Sequence, residues 1–470
     1  MANRSPDLTV GPVHTHLIYL TGFMLMGFVS VMGANLMETV YVGRVGTTEL
    51  AALGFTFPLV MTLQGITMGL SIGASSVVAR SIGNDNWPRA RKLITHCFVL
   101  AFVFIVIVIL LSWWSLPTIF KLLGADANIR DLSVLYMRLW LLGLPFFTVA
   151  MVGSTMMRAA GDARTPGYLM TIGSLLQVVL GPLFIFGLFG FPRLELAGAA
   201  LAFIVARFVS LLLYGWAMTR SQLISPDMNG FFGSCKDILH VGMPAIASNL
   251  VSPIGMSVIT RLLAGHGAVV VAGFSVASRI EAMIIMILFA LSMSVAPFVG
   301  QNWGRRAFER VKLALKLANG FVLIWGALAY GFLYFSAAFL VSLINDDPAV
   351  IEAATWYLLI APLGVGFMGV MSNSTSAFNA LGKPMPPLII SILQMIVVGI
   401  PLALVGDHFY GYPGIFAGVV TTVILLGGVS WLWLHLQIGR DIKIANAEVV
   451  QSPARVSGSP SPVHSDIEPS

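Results

Sequence analysis

The chain has 470 residues, of which 57% are hydrophobic and only 10% are charged, and its mean hydropathy is +0.89. Because a soluble domain carries about 25% charged residues, this composition excludes a soluble globular protein and predicts an all-α polytopic membrane protein with the lipid bilayer as its partner. The net charge of +6 suits an anionic membrane surface. No Lys/Arg cluster lies on a polar domain that would follow phosphates, so we expect no nucleic-acid partner.

Apolar segments long enough to cross a bilayer as helices, roughly 20 residues each, recur between charged and turn residues. We predict twelve spans: 17–41, 50–79, 93–116, 132–157, 166–191, 196–219, 238–260, 268–299, 317–344, 353–380, 387–405 and 409–438. The remaining segments are a cytoplasmic N-terminal segment at 1–16, a linker at 220–237 and a tail at 439–470. The tail is predicted to be disordered because residues 445–470 are rich in Ser, Pro and Ala.

Lys and Arg are distributed unevenly over the two sides of this arrangement. With the N-terminus inside, 18 of them fall on the inner side, 5 on the outer side and 3 within spans. Cytoplasmic loops carry the excess of basic residues. The count therefore predicts a multi-pass protein with both termini in the cytoplasm.

The two halves of the chain repeat each other at an offset of 221 residues. The offset superimposes matching residues without a gap: Gly46 and Gly267, Asp126 and Asp347, Tyr136 and Tyr357, Gly161 and Gly382, and Pro166 and Pro387. Each half holds six spans, so both halves start on the same side and the repeat is parallel. We predict an N-lobe at 17–219 and a C-lobe at 238–438, in a monomer that binds its substrate between the lobes.

Glu38 stands at the end of the first span, while the sequence is still apolar. An ionised carboxylate costs several kcal/mol in hydrocarbon, so acids within spans are rare and face protein or water. Burial favours the neutral form, and such a Glu is expected to bind protons readily. The alternative is that Glu38 lies at the headgroup level and reaches solvent.

Further charges lie within predicted spans, among them Arg207 on the sixth, and Arg279 and Glu281 on the eighth. Two residues apart on one helix, Arg279 and Glu281 do not face each other. Each is expected to pair elsewhere, in a buried charged network whose role is structural. Asn35 is an intramembrane amide, which we expect to form a helix–helix contact.

Three motifs carry a resemblance to a known family: GRVGTTELAALG at 43–54, RAAGDARTP at 158–166 and VGQNWG at 299–304. Together with twelve spans in two halves, they resemble the multidrug and toxic-compound extrusion (MATE) family of bacterial type, over about residues 15–438. The resemblance implies a proton- or sodium-driven exporter of organic cations, in the bacterial inner membrane, with two six-helix lobes.

The functional positions of the family can be compared with this sequence residue by residue. Glu38 stands where many bacterial members have an Asp, which makes it the candidate ion-coupling residue. Gln177 and Gly181 stand where several members have an Asn and an Asp, so one carboxylate is missing. A sodium ion needs several oxygen ligands, and proton coupling is therefore favoured. Asn35, Thr39 and Gln177 remain candidate partners of Glu38 in a sodium site.

These observations favour an antiporter that exports cationic amphipathic drugs and needs no cofactor other than its coupling ion. A lipid or lipid-linked oligosaccharide flippase of related architecture is the alternative, although only three intramembrane Arg are available for a pyrophosphate. A membrane-embedded enzyme would need paired acids, a His cluster or a nucleophile–base pair at depth. We find no such constellation in the sequence and do not expect an enzyme.

Overall fold

The computed structural model describes residues 7–124 and 126–451, which are helical apart from short turns and linkers. In chain order the α-helices are α1 (Val13–Val45), α2 (Thr47–Gly83), α3 (Trp87–Leu122), α4 (Ala127–Ala159), α5 (Arg164–Phe186), α6 (Glu195–Arg220), α7 (Phe231–Ala264), α8 (Ala268–Gly304), α9 (Phe308–Ser342), α10 (Pro348–Ile360), α11 (Pro362–Ala380), α12 (Met385–Ile392), α13 (Gly399–Tyr410) and α14 (Tyr412–Gln451). A 3₁₀ turn at Leu188–Gly190 and a π-helical turn at Leu393–Val397 complete the helical structure of the described residues.

The predicted all-α architecture is confirmed. Within the described residues, eleven helical segments are long and apolar enough to cross a membrane, with α12, the π-turn and α13 counted as one. The bent pair α10 and α11, taken as one span, is the twelfth. Most helices extend beyond the predicted spans: α1 has 33 residues and α2 has 37. At 1.5 Å per residue, they project past a hydrocarbon core of about 30 Å.

The tenth and eleventh spans are not the single straight helices that the sequence predicts. The tenth is bent by 47° between α10 and α11, because Pro362 at the start of α11 has no N–H to continue the helix. The eleventh is interrupted by the π-turn at Leu393–Val397. Both irregularities lie in the C-lobe, so the two lobes are related but not identical.

Two predicted boundaries are corrected. The link between the lobes is shorter than 220–237: α6 ends at Arg220 and α7 begins at Phe231. The final helix α14 continues to Gln451, so the first part of the predicted disordered tail at 439–470 is helical. The remainder of that prediction lies outside the described residues.

The two lobes meet along a face of α2 that is made of small residues. Gly69, Gly73 and Ser76 recur at intervals of four and three residues, which places them on one side of a helix. A Cβ on Gly73 would lie 2.4 Å from the carbonyl oxygen of Ile238 on α7, and one on Gly69 would lie 2.5 Å from the nitrogen of Ile246. The backbones of α2 and α7 therefore touch, as small residues permit between membrane helices.

Hydrogen bonds between the lobes are concentrated at one end of the bundle, where α1 begins and α2 and α8 end; we call it the sealed end. Asn249 of α7 donates to the carbonyl of Gly65 at 3.1 Å near the middle of α2. Beyond that point, among residues 7–124 and 126–451, no side-chain hydrogen bond or salt bridge joins the lobes. We call this opposite end the open end.

Candidate functional site

Glu38 lies inside the N-lobe, in the half of α1 nearer the open end. Ala34 and Val42, four residues before and after it, are both buried, so Glu38 shares the face of α1 that packs on the lobe. Its side chain is half-buried and accepts two hydrogen bonds. Tyr136 of α4 donates from its hydroxyl to Oε1 at 2.9 Å, and Gln177 of α5 donates from Nε2 to Oε2 at 2.9 Å. Both carboxylate oxygens of Glu38 are therefore hydrogen-bonded within the N-lobe, and the side chain does not extend freely toward the headgroups.

Gln177 is also hydrogen-bonded to the guanidinium of an arginine, Arg207. Arg207 of α6 donates from Nη2 to Oε1 of Gln177 at 3.1 Å. Its guanidinium lies over the rings of Phe203 and Phe147, 5.2 and 5.5 Å from their centroids, and aromatic faces attract a cation. Glu38, Gln177 and Arg207 thus form a relay of acid, amide and guanidinium across α1, α5 and α6.

Gly181 supplies no second carboxylate beside Glu38, and the ring of Tyr41 lies close to it. A Cβ at this position would lie 3.0 Å from the ring of Tyr41, so a larger residue here would require that ring to shift. Glu38, Gln177, Tyr41 and Gly181 line a cavity of about 10 Å³, which is about the room that one water molecule requires. The site offers one carboxylate and little free volume.

The candidate sodium ligands are only partly brought together. Gln177 bonds Glu38 directly, but Asn35 and Thr39 are exposed. The Thr39 hydroxyl donates to the backbone carbonyl of Asn35 within α1 at 3.0 Å. In the described part of the chain neither side chain is hydrogen-bonded to Glu38. The oxygen atoms expected around a sodium ion are therefore not gathered in this conformation.

The expected charged network of Arg207, Arg279 and Glu281 is not present as one unit. Arg207 belongs to the Glu38 relay in the N-lobe, whereas Arg279 is exposed on α8. Glu281 is half-buried and accepts a hydrogen bond from the hydroxyl of Tyr357 on α10 at 2.5 Å. The prediction was wrong because the two-residue spacing that separates Arg279 from Glu281 places only one of them on the lobe-facing side of α8.

The two tyrosines are the residues that sequence reasoning missed. Tyr136 and Tyr357 match at the 221-residue offset, and each donates to a glutamate of its own lobe. The glutamates come from helices that are not equivalent, α1 and α8. The repeat therefore contained the signal for the paired tyrosines, but only the packing of the helices reveals which acids they contact.

The duplicated motifs lie at the sealed end and bond across the lobes in a reciprocal way. Arg80 of α2 donates to the carbonyl of Ala380 at the end of α11, at 3.4 Å. Gln301 of α8 donates to the carbonyl of Ala159 at the end of α4, at 2.7 Å. Arg80 and Gln301 are equivalent in the repeat, and so are Ala159 and Ala380. Each lobe thus caps one helix end of the other.

The spans form two repeated lobes that are joined at one end, and the N-lobe holds a hydrogen-bonded carboxylate within its span region. These features define a polytopic membrane transporter. The family model MatE matches residues 24–183 and again residues 244–405. The double match reproduces the internal repeat and covers more than half of the chain. The chain belongs to the MATE family, as its motifs indicate. Members of this family are transporters, which decides against the enzyme alternative.

Curated relatives and solved structures agree with this assignment. The chain is 31% identical to the FAD transporter of Shewanella oneidensis, over 94% of this chain and 99% of the relative. It is 26% identical to a Thermotoga maritima protein named "Probable multidrug resistance protein NorM", over 92% and 94%. The crystal structure of the Vibrio cholerae MATE transporter VcmN in the bent form is 29% identical, with a TM-score of 0.87 over 92% and 98% of the two chains.

Proposed function

We propose that this protein is a secondary active antiporter that exports small organic compounds, with Glu38 as the residue that couples ion movement to transport. The observation that carries the proposal is the Glu38 relay. A carboxylate held by Tyr136 and Gln177 in a lobe of low polarity can change charge when it gains or loses a proton. A change of charge there alters the packing of α1 on the lobe, and α1 also contacts α8 of the other lobe.

The proposed cycle exposes the site alternately at the two ends of the bundle. The basic residues favour a cytoplasmic location for both termini, in the bacterial inner membrane, so the sealed end is assigned to the cytoplasm. The described conformation is then outward-facing. The seal between α2, α7 and α8 must break for the substrate to enter from the cell, and rocking of the two lobes accomplishes this in parallel-repeat transporters.

Two features of the site support H⁺ over Na⁺ as the coupling ion. Among the described residues that line the site, Glu38 is the one carboxylate, since position 181 is a glycine, and a hard cation binds through several oxygens. A guanidinium, Arg207, is hydrogen-bonded to the amide that bonds Glu38, and a nearby positive charge repels a second cation. A proton needs no further ligand.

The proposed substrates are cationic amphipathic drugs, in line with the multidrug names of several relatives. FAD is a second candidate, because the relative with 31% identity over nearly its whole length is named an FAD transporter. The two candidates differ in charge, so a transport assay with one member of each class distinguishes them.

The test uses the purified full chain in proteoliposomes, with ethidium as the organic cation and FAD as the flavin. A pH gradient at equal sodium concentrations is expected to drive flux of at least one of the two, and Glu38→Gln, which resembles the permanently protonated state, is expected to abolish it. Glu309→Gln is the matched control, because Glu309 is an exposed acid whose side chain is 85% accessible.

Each outcome bears on a different part of the proposal. Flux that a sodium gradient drives at constant pH, without any response to a pH gradient, overturns proton coupling. Full flux in a well-folded Glu38→Gln protein removes Glu38 from the coupling role. Absence of flux for both ethidium and FAD in folded protein contradicts the proposed substrate classes.

A further inference from the structure

A charged cavity lies between the lobes at the sealed end, remote from Glu38. Its volume is about 480 Å³, within the 300–1,000 Å³ typical of small-molecule sites. The N-lobe contributes Arg80 from the end of α2 and Arg89 from the start of α3. The C-lobe contributes Lys236, Asp237 and His240 from the start of α7. The cavity is thus built by both lobes, where an occupant would contact each of them.

Positive charge predominates in this cavity. Arg80, Arg89 and Lys236 carry permanent charges, against the single carboxylate of Asp237 among the lining residues. Asp237 lies 3.2 Å from Arg89 and forms a salt bridge with it. Among the described residues, no acid forms a salt bridge with Arg80 or Lys236. Lys236 therefore lines the cavity without a salt bridge, and Arg80, which also donates to the carbonyl of Ala380, has no direct salt bridge to Asp237.

The neighbouring polar groups suit an oxyanion. Asn84 and Asn86 also line the cavity, and Asn86 uses its side-chain carbonyl oxygen to accept from the backbone nitrogen of Arg89 at 3.1 Å. The amide NH₂ of Asn86 is the part of that side chain left to donate. Guanidinium, ammonium and amide donors in one concave wall match the acceptors of a phosphate group.

We propose that this cavity is a binding site for a phosphate-bearing anion, either a soluble phosphorylated compound or the headgroup of an anionic lipid. An organic cation is repelled from it, so the site goes beyond the proposed drug export and does not depend on Glu38. Because both lobes contribute cations, a bound anion bridges them and favours the sealed conformation over one in which the lobes separate.

The test measures thermal unfolding of the full chain in phosphatidylcholine nanodiscs at constant ionic strength. Inorganic pyrophosphate is expected to raise the unfolding temperature, whereas sodium chloride at the same ionic strength is not. Lys236→Gln is the informative variant, because Lys236 is exposed and forms no salt bridge in the described residues. We expect it to weaken the apparent affinity for pyrophosphate about tenfold, the loss of one charge-assisted contact.

Lys316→Gln is the matched control, since Lys316 is an exposed lysine near the start of α9 that does not line the cavity. A second arm replaces part of the phosphatidylcholine with phosphatidylglycerol. Stabilisation by that lipid but not by soluble anions, lost in Lys236→Gln alone, assigns the site to a lipid headgroup. The proposal is overturned if neither source stabilises the protein, or if Lys316→Gln weakens the response as much as Lys236→Gln.

Discussion

The two lobes hold equivalent tyrosines but different acids. Tyr136 and Tyr357 occupy matching positions of the repeat, and each donates its hydroxyl to a glutamate. Glu38 is on the first helix of its lobe, whereas Glu281 is on the second helix of the other lobe. Only Glu38 is connected through an amide to a buried guanidinium in the described residues. The chemistry of the lobes has therefore diverged on a shared scaffold, with the more elaborate site in the N-lobe.

Tyr136→Phe tests whether the hydroxyl that holds Glu38 contributes to transport. A hydrogen bond to a charged group is worth about 1.5–3 kcal/mol, so its loss is expected to lower the transport rate about tenfold while the protein remains folded. Tyr334→Phe is the control, because Tyr334 is 57% exposed. Initial rates in proteoliposomes and unfolding temperatures are measured for both. Unchanged rates in Tyr136→Phe would show that the hydroxyl does not contribute.

At the scale of the helices, the small-residue face of α2 determines how closely the lobes approach. Gly69 and Gly73 permit backbone contact with α7, and Ser76 donates to the carbonyl of Asn379 on α11. A helix with larger residues at these positions would separate the lobes. The same face continues to Gly83, where a Cβ would lie 2.1 Å from the carbonyl oxygen of Gln301.

Gly73→Ala is expected to weaken the contact between α2 and α7. The new methyl group would overlap the carbonyl oxygen of Ile238, and overpacking of this kind costs about 1–3 kcal/mol. The unfolding temperature in detergent is expected to fall. Gly54→Ala, on the same helix, is the control because nothing lies within 4 Å of a Cβ there. Equal stability of the two variants would contradict the close contact.

At the scale of the whole molecule, the sealed end is held by contacts that each lobe makes to the other. The bonds from Arg80 to Ala380 and from Gln301 to Ala159 are related by the internal repeat. The N-terminal segment adds to this seal, since Arg310 of α9 donates to the carbonyls of Leu8 and Gly11. The seal therefore combines bonds related by the repeat with bonds from the N-terminal segment, in addition to the contact between α2 and α7.

Gln301→Ala is expected to shift the population toward conformations that are open at the sealed end. It removes a buried donor to Ala159, and one net hydrogen bond of about 1 kcal/mol changes a two-state ratio several-fold. The measurement is the distribution of distances between spin labels placed on each lobe at that end. Gln222→Ala, in the exposed linker, is the control. Identical distributions in Gln301→Ala and the unaltered chain would exclude this contribution.

The sequence by itself determined the membrane architecture. Twelve apolar spans, the 221-residue repeat and the candidate acid Glu38 follow from hydropathy and spacing, which act along the chain. Of the partners of Glu38, Gln177, which is 139 residues away, was expected only from the family resemblance, and Tyr136, which is 98 residues away, was not expected at all. Contacts at such separations depend on which helix faces meet, and in lipid those faces are chosen by the packing of small residues, not by hydrophobicity. For the same reason only the tertiary structure separated Arg207, Arg279 and Glu281, and formed the basic cavity between the lobes.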